Sequence, residues 1–198
     1  MPILETGKVL VEKLTGWARP SKQDLERAVR DRKPHLFRFK DDGVIPNHPT
    51  WPLLIYKSPV RSLPDIDPAA LLEDLFASNK WENSWRNGVY PFVHYHSRIH
   101  EVLGVASGEA EIQFGGNLGR SLIVRAGDVA ILPAGTGHKR LTASADFLVV
   151  GAYPPEGTYD LCKTSEDHDR ALDTIPHVAR PGRDPVYGAH GPLLKIWR

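Results

Sequence analysis

The sequence predicts an all-β protein, an antiparallel sandwich or barrel, and three observations carry that expectation. Proline makes up 17 of the 198 residues and glycine another 17. Proline at that level is above the usual ~5% and favours turns and short strands over a helical bundle. Second, residues 88–153 break into six or seven short apolar runs separated by turn residues, the spacing of an antiparallel sandwich or barrel. Third, one of these runs alternates strictly. Ala110, Ile112 and Phe114 interleave with Glu109, Glu111 and Gln113, so one face is buried and the other wet.

The elements follow in order. Residues 1–34 read as an N-terminal extension ahead of a single domain over 35–198. Ser21 with Asp24 three residues on makes a capping box, and Leu25, Ala28 and Val29 mark a narrow apolar stripe. A short charged helix over 22–32 is expected there, with a mobile arm as the competing reading. HLFRFK and LLIYK read as two strands around the turn-rich DDGVIPNHPTWP. The clearest helix comes next. Asp67 caps it, Pro68 takes its first position, Leu71, Leu72, Leu75 and Phe76 form one face, and it ends near Asn79. Trp81 and Trp85 bracket an Asn-rich loop and read as lid or core packing. Strands are then expected over 88–96, 101–106 and 109–114, followed by SLIV, VAIL, HKRLT and FLVVGAY. The tail over 154–198 is rich in Pro and Gly and reads as extended. It carries one short strand, LLKIW, and Trp197 is expected to pack down.

Charge and composition narrow the function. Lys and Arg number 25 against 24 Asp and Glu, a net charge of +1. That balance gives no electrostatic reason to expect nucleic acid or an anionic membrane as partner. No apolar run approaches a membrane span. Glu5, Lys8, Glu12 and Lys13 interrupt the N-terminus, which lacks the apolar stretch of a signal peptide, so a cytoplasmic location is expected. Cys162 is the only cysteine, so no intrachain disulfide forms, and with no neighbouring base it reads as inert. There is no Ser-His-Asp order worth defending and no phosphate loop.

The chemistry gathers on a few residues. Along a strand, residues i and i+2 face the same way, so His94 and His96 project from one face and can share a metal. Glu101, a few residues on, supplies a hard oxygen donor. A fourth ligand has to come from elsewhere, and His138 follows PAGTG, a loop able to bring the chain back. The competing reading is a set of barrel histidines satisfied by hydrogen bonds. Three imidazoles and a carboxylate suit one divalent transition ion, Fe, Mn, Ni, Zn or Cu, and disfavour Ca and Mg. An ion preferring six ligands keeps two positions open. His100 sits beside Glu101 and points to the opposite face of a strand, so it reads as a packing or surface residue.

These residues carry a resemblance. G-x5-H-x-H-x(3,4)-E-x6-G is matched by Gly88, His94, His96, Glu101 and Gly108, and G-x5-P-x-G-x2-H-x3-N by Gly127, Pro133, Gly135 and His138, with Thr142 in place of the final Asn. The chain resembles the cupin superfamily over about 88–153, and its layout is similar to small bacterial cupins of unassigned function. The resemblance implies a jelly-roll (double-stranded β-helix) barrel, metal ligation by His94, His96, Glu101 and His138, a small-molecule site beside the ion, and a homodimer. The departure at Thr142 touches no ligand.

Metal cupins include oxygenases, decarboxylases and isomerases, so a metalloenzyme acting on a small polar molecule is the first expectation and a non-catalytic metal- or ligand-binding cupin the second. No further residue in the sequence identifies a general base. Tyr90 and Phe92, by parity with the histidines, and Arg140 and Thr142, by parity with His138, are the expected pocket residues. A buried Arg140 would favour a carboxylate or phosphate ligand.

Overall fold

The computed structural model describes residues 16–198. The interrupted N-terminus and its charged residues lie outside the described residues. The chain opens with helix α1 (Lys22–Ala28), whose N-cap Ser21 and Asp24 form the expected reciprocal capping box. It ends at Ala28, earlier than 32, because Val29 turns extended and pairs with Val60. Strands β1 (His35–Phe37) and β2 (Leu53–Tyr56) follow, then helix α2 (Pro68–Ser78), capped by Asp67 through the Ala69 amide. Next come β3 (Glu82–Asn87), β4 (Glu101–Ser107), β5 (Glu109–Phe114), β6 (Arg120–Arg125), β7 (Val129–Leu132), β8 (His138–Ala143) and β9 (Leu148–Tyr153). Two helices close the chain, α3 (Ser165–Thr174) and α4 (Leu193–Ile196).

The strands form two antiparallel sheets. One has six strands in the order β1-β2-β7-β4-β9-β3, the other three in the order β6-β5-β8. The inner apolar cluster joins them. Leu53 and Ile55 of β2, Leu103 and Val105 of β4, Leu132 of β7 and Val149 of β9 meet Ile112, Phe114 and Val124 of the smaller sheet. The alternate residues of the same strands, Leu54, Tyr56, Val102, Ile131 and Val150, pack outward against Leu71, Leu72, Leu75 and Phe76 of α2 and against Leu193 and Trp197 of the tail. The larger sheet is therefore covered on both faces. This is why LLIY, VAIL and LVVGAY read as unbroken apolar runs, whereas β5, wet on one face, alternates.

Four expectations change. The two sheets are not hydrogen-bonded into a closed barrel; they stay an open sandwich. The Asn-rich segment is not a loop but the edge strand β3, paired with β9. Asn83 takes a positive φ where the register shifts, so the asparagine marks a bulge. Residues 88–96 do not make a continuous strand. Only His94 and Tyr95 form isolated bridges, to His138 and Cys162, and Pro91 has no N–H to extend a ladder. Finally, the tail is not extended. LLKI is the helical turn α4, started after Gly191-Pro192, with the Leu193 amide taken by the buried Asp184 carboxylate (3.2 Å). Trp197 is fully buried, donates its indole N–H to Pro52 O (2.9 Å) and stacks on Trp51. Among the described residues no helix is long and apolar enough to cross a membrane.

Candidate metal centre

One bridge assembles the site. His94 and His138 exchange backbone hydrogen bonds of 3.2 and 2.9 Å, which sets the two residues directly opposite each other with ring centroids 4.1 Å apart. Two residues on from His94, the His96 carbonyl accepts from the Gly135 amide (2.7 Å). Gly135 takes φ +87°, and a Cβ there would lie 2.6 Å from Ile175 and 3.0 Å from the Asn47 backbone, so glycine is what allows the PAGTG loop to fold back. Glu101 starts β4 on the same inward face as Leu103. All four side chains are buried.

Hydrogen bonding fixes which ring nitrogens face the shared space. Nδ1 of His94 lies 3.2 Å from Phe92 O, Nδ1 of His138 lies 3.1 Å from Thr136 O, and Nδ1 of His96 meets Asp160 O. Each Nδ1 must donate to its carbonyl, which in the neutral ring leaves Nε2 with a bare lone pair. One nitrogen from each ring lies within 4.8 Å of the other two. Glu101 Oε2 joins them, 3.5 Å from His96 Nε2 and 3.3 Å from His138 Nε2, and has no hydrogen-bond partner. Acceptor facing acceptor at that distance is repulsive unless a cation or an added proton lies between. Donors around a divalent ion, each about 2.0–2.2 Å from it, sit roughly 3.0–3.6 Å apart. The residues fit such an ion.

Ionisation agrees with that fit. Burial works against a charge on Glu101, but His96 and His138 outweigh it and hold the carboxyl below the usual carboxylate range. Burial, and then His138, push His94 down to about 3, so its imidazole is neutral, the form that binds metal. At His96 burial opposes the charge and the Glu101 carboxylate overrides it, so a proton competes with an ion at this position.

Support comes from a segment outside the motifs. Asp160 lends its carbonyl to His96 and is itself clamped. Its carboxylate accepts from the Ser97 amide (2.9 Å), the Ser97 hydroxyl (2.5 Å) and the Arg98 amide (3.2 Å). Cys162 Sγ also donates to it (3.2 Å), and burial raises that thiol to about 11, which keeps it protonated.

A cavity of about 330 Å3 opens beside the four side chains. Its walls include Trp85, Tyr90, Tyr153 and Tyr159 as well as Val89 and Leu103. Of the expected pocket residues, Tyr90 lines it. Phe92 does not, but stacks on Tyr90 at 4.8 Å. Arg140 pairs with Ile112 and does not line it, and Thr142 is exposed. The register of β8 against β5 shifts between these two, so Thr142 sits opposite outward-facing Glu111 and the parity that linked it to His138 is broken. His100 is fully buried, packing between the sheet and the tail. It accepts from the Ala134 amide (2.9 Å) and donates to Ala179 O (3.2 Å).

Sequence reasoning missed Tyr153, Tyr159 and the cavity role of Trp85. Tyr153 was one more residue of an apolar strand, and Tyr159 lay in an unassigned tail. The available signal was Gly151. A Cβ on Gly151 would lie 2.1 Å from the Trp85 ring, so this glycine in the middle of a strand seats the indole. Trp85 then donates to the Tyr153 hydroxyl (3.0 Å).

The uncharacterised protein YjlB of Bacillus subtilis is 42% identical to this chain over 169 residues, covering 84% of this chain and 98% of YjlB. Both motifs fall in one continuous chain whose four motif side chains converge. The chain is a cupin of the YjlB family. No family model matches it. Among solved structures, this cupin is similar to a deletion mutant of oxalate decarboxylase OxdC of Bacillus subtilis at 20% identity and a TM-score of 0.35. That alignment covers 58% of this chain and 28% of the decarboxylase. A double-stranded β-helix protein of Klebsiella pneumoniae aligns at 17% identity over 74% of this cupin and 97% of itself, TM-score 0.34. The WlaRB TDP-quinovose 3,4-ketoisomerase of Campylobacter jejuni aligns at 14% over 46% and 75%, TM-score 0.34. The functional reading of the cupin rests on its own site.

Proposed function

We propose that this cupin is a metalloenzyme that holds one divalent transition ion through His94, His96, Glu101 and His138 and converts a small molecule admitted to the adjoining cavity. The observation that carries it is the spacing of the buried Glu101 oxygen, 3.5 Å from His96 Nε2 and 3.3 Å from His138 Nε2, which is the separation of donors around one divalent ion. A nitrogen-rich set with one carboxylate suits Fe, Mn, Ni, Zn or Cu. When bound, such an ion supplies Lewis acidity or redox chemistry at its open positions. The chain's own residues do the rest. The three imidazoles are held in one tautomer by backbone carbonyls. Burial and the Glu101 carboxylate raise Tyr153, which therefore keeps its phenolic proton next to the cavity. Trp85 donates to the Tyr153 oxygen, which leaves the phenolic proton for the Glu101 side of the hydroxyl. Val89 and Leu103 keep water from the inner wall.

An oxygenase, a decarboxylase and an isomerase all fit this arrangement. A second reading, a non-catalytic binding cupin, is favoured by one observation: apart from the four proposed ligands, no carboxylate or histidine lines the cavity among the described residues. The open sandwich is consistent with the jelly roll of the family, and a homodimer is the assembly we expect. Gel filtration showing a monomer would count against that dimer. The functional reading is tested by turnover of a panel of small acids and sugars, with and without oxygen, before and after chelation. Ion-dependent turnover supports the enzyme. An ion-loaded protein that binds but turns over nothing across the panel supports the binding reading.

A further inference from the structure

The walls of the cavity specify more than its size. Four aromatic side chains surround the space beside the imidazoles. Tyr90 lies edge-on to His94 (centroids 5.1 Å), Tyr159 lies 5.0 Å from His96, Tyr153 lies 5.9 Å from His96, and Trp85 is seated over Gly151. Tyr90 and Tyr159 are 45% and 50% exposed, large rings left uncovered at the mouth.

The positive charges are all turned away. Arg86 contributes to the wall, yet it pairs with outward-facing Val150, and its guanidinium is bound on the other face of the sheet. Glu73 takes Nε and Nη2 (2.8 and 2.7 Å) and Asp67 takes Nη1 (2.8 Å). Arg98 faces Asp160, and Lys163 lies over the Phe92 ring. Arg140, with a buried Nε that meets no partner, does not line the cavity. A divalent ion with three neutral imidazoles and one carboxylate carries a net charge of one. A single carboxylate or phenolate from a ligand cancels it. A second anionic group placed too far off to chelate the same ion would be desolvated beside aromatic faces with no cation to meet it, which is costly.

We infer that the cavity selects a small, singly anionic molecule with a planar unsaturated ring, its oxygen end toward the imidazoles and its ring against Tyr90, Tyr159 and Trp85, and that it discriminates against a second carboxylate carried on the far side of the ring. The charge half of this inference rests on the metal reading above; the aromatic wall does not.

Calorimetric titration of the protein as purified, with its ion content measured in every sample, tests this using benzoate, cyclohexanecarboxylate and terephthalate. Benzoate should bind about threefold to tenfold tighter than its saturated counterpart, the range expected for ring-on-ring contact. It should bind at least about tenfold tighter than terephthalate, whose second carboxylate lies across the ring, cannot reach the same ion and is left unpaired. Tyr90→Ala and Tyr159→Ala, both at half-exposed positions that leave the core intact, should erase the preference over cyclohexanecarboxylate without changing the melting temperature. Equal binding of benzoate and cyclohexanecarboxylate would overturn the inference. So would terephthalate binding as tight as benzoate's. The ion measurement separates the two readings. Ion-loaded protein with no ring preference removes the aromatic wall and keeps the metal centre; a ring preference in ion-free protein does the reverse.

Discussion

Two residues outside the ligand set make claims that can be checked separately. Asp160 is the first. It holds the Nδ1 proton of His96 through its carbonyl, and its carboxylate ties that stretch of chain to Ser97 and Arg98. Partners of this kind orient a ligand ring, and their loss typically weakens metal binding about 10–100-fold. Asp160→Ala should do so while leaving the melting temperature of the ion-free protein within a few degrees, measured by competition with a chromogenic chelator. His48 is the second. Burial pushes it down to about 4, against about 6.5 in the unfolded chain, while its Nδ1 accepts from the Trp51 amide (2.9 Å). As pH falls below about 6.5 the unfolded chain takes up a proton that the folded chain refuses. Stability is therefore full above that pH and declines toward pH 4, by up to about 1.4 kcal/mol per unit for this group. His48→Asn keeps an acceptor for the Trp51 amide and removes the titration. Urea unfolding between pH 4.5 and 7 should show a shallower slope in the variant; an unchanged slope would mean that His48 is protonated in the fold.

At the scale of elements, what could be read in advance follows from how each element is buried. α2 announced itself through its Asp67 cap, Pro68 and a one-sided apolar stripe, since only one face of it meets the sheet. β5 alternated because one of its faces is wet. β3 was hidden because it is a mostly exposed edge strand with a bulge at Asn83, and asparagine signals a loop and a bulge equally well. The parity of His94 and His96 predicted a shared face, and the two do point together, although a single bridge to His138 holds them and not a full strand. The same parity argument failed at Thr142, where a register shift in β8 intervened. Side-chain parity is only as good as the ladder beneath it, and the bulge in β8 carries no mark in the sequence. The β3–β9 pair carries its own prediction. In Gly151→Ala the new methyl group meets the Trp85 indole, and overpacking of this sort costs about 1–3 kcal/mol. Urea unfolding should show that loss, together with a shifted tryptophan emission as Trp85 leaves its seat. Unaltered emission would place the indole elsewhere.

Across the whole molecule, the six-stranded sheet is covered on both faces along its central strands β2, β7, β4 and β9. α2 covers part of its outer side, and the tail covers more, ending in a stack of His48, Trp51 and Trp197. The Trp197 carbonyl accepts from Arg180, and its indole reaches back 145 residues to Pro52. The last residues are therefore a clasp on the fold, which the sequence could signal only through a tryptophan standing next to the terminus. Trp197→Ala should cost about 3–5 kcal/mol, as large aromatic deletions from a core do, and calorimetry should record a lower melting temperature. A loss below about 1 kcal/mol would mean the tail is not part of the core. The four proposed ligands could be named in advance, His94 and His96 from their parity and the full set from the motifs the chain shares with cupins. The cavity walls could not, because they come from β3, β9 and the segment after β9, which only the fold brings together. The convergence of those four side chains on one ion is the central claim, and elemental analysis of protein purified without chelators tests it most directly. The account predicts close to one transition-metal ion per chain, falling to near zero in His94→Ala and in Glu101→Ala while both variants stay folded. A folded wild-type protein that takes up no ion from any of Fe, Mn, Ni, Zn or Cu would contradict it.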